Sequence, residues 1–198
     1  MQVPSVAPLR ILALSGSLRA GSYNTALLRA AQELAPDTLA VTLYDLRALP
    51  MYDGDLESQG LPEAVKHFVD ALRTSDGLLL ATPEYNASFP AVLKNAIDWA
   101  SRPPQPTALV GLPTALMGAA AGMSGSMRAQ MDLRAVLAHT DTPVMLKPEI
   151  YVAQPATKLG TDGALNDEPT RALMQRFLTA FEGFVRRTRA PQPALASR

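Results

Sequence analysis

The 198-residue chain contains no cysteine. That excludes disulfides, thiolate metal sites, iron–sulfur clusters and thiol nucleophiles together. Histidine is nearly as scarce: His67 and His139 are the only two, too few to build a histidine metal centre. Eighteen basic residues balance eighteen acidic ones, so the net charge is zero and no broad basic face for nucleic acid is expected. No apolar run reaches the roughly 18 residues that a bilayer-spanning helix needs. The opening "MQVPSVAPLR" carries two prolines and no apolar core of signal-peptide length, so the expectation is a cytoplasmic chain without a membrane partner.

What is present is an ordinary globular balance, with 47% hydrophobic and 18% charged residues. One domain over residues 9–188 is expected, with residues 1–8 and 189–198 as disordered tails. Apolar runs alternate with helical patterns. Leu9–Ser15, Leu39–Asp45, Asp76–Thr82, Pro113–Ala119 and Glu149–Ala153 read as strands, with "PVMLK" ahead of the last as a candidate extension. Between them, Tyr23, Leu27, Ala30, Ala31 and Leu34 share one helical face, and Val65, Phe68, Val69 and Leu72 share another behind Pro62. Further helices are expected over Pro90–Ser101, up to His139, and over Glu168–Arg187. Five strands alternating with five helices give an α/β fold: a five-stranded parallel sheet with helices on both faces. Ligands of such sheets bind beyond the carboxyl ends of the strands. Three loops leave those ends: Gly16–Asn24, Pro83–Phe89 and Ala119–Ser126, all expected around one pocket.

The first loop, "GSLRAGSYN", precedes a helix whose N-terminus offers free N–H groups to an anion. Ser15, Ser17, Ser22 and Asn24 add side-chain donors, and Arg19 adds a guanidinium fork suited to phosphate. The competing reading is that Ser22 only caps the helix and Arg19 is only solvated. The spacing from Gly16 to Gly21 imitates a P-loop, but Ser22-Tyr23 stands where Lys-Ser/Thr is required. G-x-G-x-x-G is absent as well. A monophosphate on a compact cofactor fits better than a triphosphate or a dinucleotide held in the Rossmann manner.

In the second loop, Pro83 stiffens the strand exit and Asn86 tolerates turn conformations. Tyr85 stands either at the pocket mouth or as a surface aromatic. Glu84 reads as a solvated charge whose backbone matters, and Trp99 as helix packing. Three other patterns fall short. "GMSGS" (Gly122–Ser126) nearly matches a nucleophile elbow, but His139 lies too far along the same helix to complete a triad. "DGDLE" (Asp53–Glu57) starts like a calcium loop without completing one and reads as a solvated loop. Arg128 and Arg134 read as helix surface or oligomer contacts.

"SGSLRAGSYNTALLRAA", "PEYNASFPAVLKNAIDWASR" and "GAAAGMSGSMRAQMDLRAVL" together resemble the NADPH-dependent FMN reductase family, the flavodoxin-like quinone and chromate reductases. The resemblance runs from about Leu9 to Val152. It implies a flavodoxin-like fold, bound FMN, NADPH or NADH as electron donor, a small-molecule acceptor, and a homodimer or homotetramer. By position it implies that Ser17, Arg19, Ser22, Tyr23 and Asn24 hold the phosphate. Pro83, Glu84, Tyr85 and Asn86 would face the isoalloxazine ring and ribityl chain, and Ala119, Ala120 and Gly122 the flavin's other edge. No side chain is required as a general acid or base. Donor and acceptor would alternate on one flavin face, giving ping-pong kinetics. A flavodoxin-like electron carrier without nicotinamide turnover is the alternative, against which the neutral charge and Arg19 weigh.

Overall fold

In the parallel sheet, successive side chains of each strand turn to opposite faces, and both faces are covered by helices. The structure, a computed structural model, describes residues 7–102 and 104–190. The strands are β1 (Leu9–Ser15), β2 (Leu39–Tyr44), β3 (Gly77–Ala81), β4 (Thr114–Ala120) and β5 (Ile150–Ala153), in the order β2-β1-β3-β4-β5. All four pairings are parallel, with Ile11 opposite Gly77 and Met117 opposite Ile150. The α-helices among the described residues are α1 (Tyr23–Leu34), α2 (Gly54–Ser58), α3 (Glu63–Arg73), α4 (Ala91–Ala100), α5 (Met127–His139) and α6 (Glu168–Arg189).

Alternation along the strands builds two cores. Ile11, Ala13, Leu79, Met117 and Val152 point to one face, where they meet Leu27, Leu28 and Ala31 of α1 and Met174, Phe177 and Phe181 of α6. Leu12, Leu14, Leu78, Leu80 and Leu116 point to the other, against Val65, Phe68 and Leu72 of α3, Leu93 and Trp99 of α4, and Leu133 of α5. Every residue of β3 is buried, as its unbroken apolar run requires of a central strand. Trp99 is fully buried, its indole N–H donating to the Pro50 carbonyl at 2.9 Å, so packing is its role.

The sequence reading holds for all five strands to within a residue or two. It missed α2: "DGDLE" is not a loop, because the Asp53 carboxylate accepts the Asp55 N–H at 2.8 Å and starts a helical turn. "PVMLK" adds no strand; Val144 makes only an isolated bridge to Thr114. α6 continues to Arg189, one residue beyond the expected domain end. The expected tails otherwise lie almost wholly outside the described residues.

The chain crosses from β2 to β3 on the other side of β1, so the switch point falls between β1 and β3. The loops after β1, β3 and β4 converge there. Gly16 enables the approach: a Cβ on it would stand 2.9 Å from both Pro83 Cδ and Leu93 Cδ1.

Candidate functional site: a cleft at the carboxyl ends of β1, β3 and β4

The cleft between the three loops has a volume of about 350 Å³, within the usual range of small-molecule sites, roughly 300–1,000 Å³. Ten of the twelve residues singled out in the sequence line it: Ser17, Arg19, Ser22, Tyr23, Asn24, Pro83, Glu84, Tyr85, Ala119 and Ala120. Ala121 joins them, while Asn86 and Gly122 stand outside the wall. Ala121 could have been read from its place in the small-residue run "GAAAG".

On the first loop, the Ser15 hydroxyl accepts from Thr25 Oγ1 at 2.9 Å and from the Ser17 N–H at 3.3 Å, which fixes the loop to the start of α1. Ser22 caps α1, accepting the Thr25 N–H at 3.2 Å, and its hydroxyl lies on the cleft wall. The capping reading is therefore correct for Ser22, and it leaves the hydroxyl hydrogen for a ligand. The N–H groups of Tyr23 and Asn24, the first two of the helix, have no acceptor among the described residues. Arg19 is exposed. Among the described residues it donates once, to the Gly21 carbonyl at 2.9 Å, and its guanidinium lies 5.6 Å from the centre of the Tyr23 ring.

Asn24 differs from its expected role as a ligand donor. Its side chain is buried and reads the backbone of β4: Nδ2 donates to the Ala119 carbonyl at 3.0 Å, and Oδ1 accepts the Ala119 N–H at 2.9 Å. Asn24 thus fastens α1 to the far wall of the cleft, and its backbone N–H is what remains for a ligand.

On the second loop, Asn86 and Ala87 both have positive φ, 50° and 63°. The Tyr85 N–H reaches the Ser88 carbonyl at 2.9 Å, and the Ser88 N–H returns to Tyr85 at 3.0 Å, closing a two-residue hairpin turn. Asn86 is placed at the turn tip for its conformational tolerance, which explains its position off the cleft wall. The turn presents Tyr85, half-exposed, at the cleft mouth.

Glu84 is not a solvated charge. Its side chain is 5% exposed. It accepts the Ser124 hydroxyl at 3.0 Å, the Arg128 backbone N–H at 3.0 Å and Arg128 Nε at 2.8 Å, with Arg128 Nη2 completing a fork on the carboxylate. Burial pushes this carboxyl up, but the donors from Arg128 and Ser124 outweigh it and hold it below its ordinary value. Arg128, read as surface or an oligomer contact, is therefore half of a latch joining the loops after β3 and β4. Arg134 has a local role too, donating to the Met145 carbonyl at 3.0 Å.

The third loop is pinned from below. Gly125 has φ 55°, and a Cβ on it would stand 2.7 Å from the Tyr151 backbone carbonyl carbon. Ser126, buried with φ 83°, accepts from Gln130 Nε2 at 3.1 Å. Of the near nucleophile-elbow pattern, Ser124 donates to Glu84, and His139 ends α5. Among the described residues no cluster of acidic or histidine side chains could hold a metal ion. Nor is any described helix long and apolar enough to cross a membrane.

Strand order 2-1-3-4-5, all parallel and with helices on both faces, defines a flavodoxin-like protein with its cleft at the switch point. The chain belongs to the NADPH-dependent FMN reductase family, whose model matches residues 9–157. It is 44% identical over 181 residues to an NAD(P)H-dependent FMN reductase of Pseudomonas aeruginosa, covering 91% of this chain and 97% of that one. It is 42% identical over 175 residues to a quinone reductase of Pseudomonas putida, covering 88% and 94%. Among solved structures it is similar to the flavoenzyme NAD(P)H:(acceptor) oxidoreductase FerB of Paracoccus denitrificans, with a TM-score of 0.84 and 37% identity over 91% of this chain and 98% of that one.

Proposed function

We propose that the chain is an FMN-dependent NAD(P)H oxidoreductase that passes two electrons to quinones or related small acceptors. The family membership supports this reading, and so do the names of the relatives. The observation that carries it is the set of unused donors at one end of the cleft: the N–H groups of Tyr23 and Asn24, the hydroxyls of Ser17 and Ser22, and the Arg19 guanidinium. These suit a phosphate dianion better than any neutral group. The small residues Ala119, Ala120 and Ala121, facing Pro83 and Tyr85, leave a slot of the kind a flat ring requires.

In this reading the first loop holds the phosphate of FMN. The backbone from Pro83 to Tyr85 and the wall at Ala119–Ala121 hold the ring. When bound, FMN supplies a ring that accepts a hydride from NAD(P)H and returns two electrons to an acceptor. The side chains bind, orient and exclude water; none is assigned a proton transfer. Donor and acceptor use the same exposed face in turn. The half-exposed Tyr85 stands at its mouth.

The reading extends to assembly. Met127 and Met131 lie one turn apart on the outer face of α5 and are 43% and 60% exposed, with Met123 at 79% close by in the chain. Exposed apolar side chains grouped in this way are a contact surface for another protein. We assign it to a second copy of the chain, giving a homodimer or a homotetramer. Reduced nicotinamide is made and kept in the cytoplasm, where we place the protein.

The test is initial-rate kinetics of the FMN-loaded chain, varying NAD(P)H at several fixed quinone concentrations. The expected result is turnover with parallel double-reciprocal lines. Intersecting lines would require separate donor and acceptor sites, and absence of turnover with either nicotinamide would favour an electron carrier.

A further inference from the structure

β3 leaves the sheet before its neighbour does. Its last rung on β4 is the Thr82 N–H to the Met117 carbonyl at 3.0 Å, whereas β4 runs on to Ala120 beside β5. Alternate residues of a strand turn their N–H and C=O groups to the same side, so the Ala119 pair points where β3 would have continued. Ala119 is buried, and a buried backbone pair left without partners is costly.

Asn24 stands in for the missing strand. Its carboxamide offers a donor and an acceptor together, and it spends them on the Ala119 carbonyl at 3.0 Å and the Ala119 N–H at 2.9 Å. Asn24 is itself 2% exposed, so both bonds are shielded from water. These groups of Ala119 are thereby withheld from any ligand, and the wall from Ala119 to Ala121 offers small apolar side chains instead.

The two ends of the cleft meet in this one residue. The Asn24 backbone N–H, second in α1, has no acceptor among the described residues and faces the phosphate end. Its side chain fixes the first residue of the opposite wall through two bonds at once. No other side chain among the described residues bonds the backbone of that wall.

We infer that Asn24 is a positioning residue for the flavin ring: through Ala119 it sets the distance between the phosphate-binding start of α1 and the wall against which the ring lies. The inference rests on the reading of the cleft as an FMN site. It departs from the sequence expectation that the Asn24 side chain holds the phosphate. A phosphate ligand tells FMN from riboflavin. A residue that positions the ring wall acts on both flavins alike, because riboflavin carries the same ring and no phosphate.

The experiment uses the full chain and its Asn24→Ala and Asn24→Ser variants, both of which keep the backbone N–H. FMN and riboflavin are titrated by fluorescence, and quinone reduction is measured at saturating FMN. In Asn24→Ala both affinities should fall about tenfold, with their ratio within about twofold of the unmodified chain. The visible absorption bands of bound FMN should shift, and kcat should fall several-fold, since hydride transfer depends on where the ring is held. Asn24→Ser, which keeps a hydroxyl at the position, should show the same pattern in smaller measure. A fall in FMN affinity with riboflavin unmoved would return the Asn24 side chain to the phosphate site and overturn the inference. Unchanged affinities, absorption and kcat in folded variants would overturn it too, whatever thermal stability they lost.

Should neither variant fold, amide hydrogen exchange in the unmodified chain decides. The Ala119 N–H should be protected without flavin and slowed further, to a similar degree, by riboflavin and by FMN. No protection, or further slowing by FMN alone, would overturn the inference. Failure of the unmodified chain to bind either flavin would contradict the reading of the cleft and the inference with it; normal flavin binding with an insensitive Asn24→Ala would contradict only the role of Asn24.

Discussion

Arg19 is exposed, makes no ion pair among the described residues, and shares the cleft wall with Tyr23 and Asn24, whose N–H groups are unused. If it holds a phosphate, Arg19→Ala removes a charge-assisted bond worth roughly 1.5–3 kcal/mol, and FMN affinity should fall about ten- to hundredfold. Riboflavin lacks the phosphate and should bind both forms alike in a fluorescence titration. Equal losses for FMN and riboflavin would remove Arg19 from the phosphate site. At this scale the sequence was only partly legible. Residue types identified the loop, because Ser, Arg and Asn ahead of a helix have few other joint uses. They could not say that the Asn24 amide turns inward to Ala119, 95 residues away, since no local pattern encodes so distant a partner.

At the scale of elements, the latch between Glu84 and Arg128 holds the loops after β3 and β4 at a fixed separation. Its sign with pH follows from the lowered carboxyl pKa. Stabilisation is complete above the ordinary value of 4.5 and is lost as pH falls below it through the folded-state value. Acidification from pH 5 to below pH 4 should therefore weaken FMN binding, and Glu84→Gln should bind more weakly at pH 7 with a flatter pH profile. Binding measured across that range checks both, and an unchanged profile in Glu84→Gln would show that other carboxyls set it. Strands were the most legible elements: β1 was read to the residue, because an apolar run ending at a serine and glycine has sharp edges. α2 was missed because five residues with a single leucine, Leu56, show no apolar stripe. The latch was invisible because Glu84 and Arg128 are 44 residues apart and each alone reads as a solvated charge.

Across the whole molecule, the sheet gathers three loops at one switch point, and α5 carries both the Arg128 end of the latch and the exposed methionines. A second copy seated on Met127 and Met131 would lie close to the cleft. Replacing both by lysine should yield a monomer by light scattering, with FMN affinity retained; a monomeric unmodified chain would contradict the assembly. The central claim is that one cleft binds FMN and exposes it in turn to a nicotinamide and to an acceptor. Anaerobic titration of the FMN-loaded chain, followed by flavin absorbance, tests it most directly. One equivalent of NADPH or NADH per chain should bleach the flavin with no acceptor present, and one equivalent of quinone, added after the donor is spent, should restore it. A flavin that stays oxidised with both donors, or is reduced only when quinone is present as well, would contradict the account.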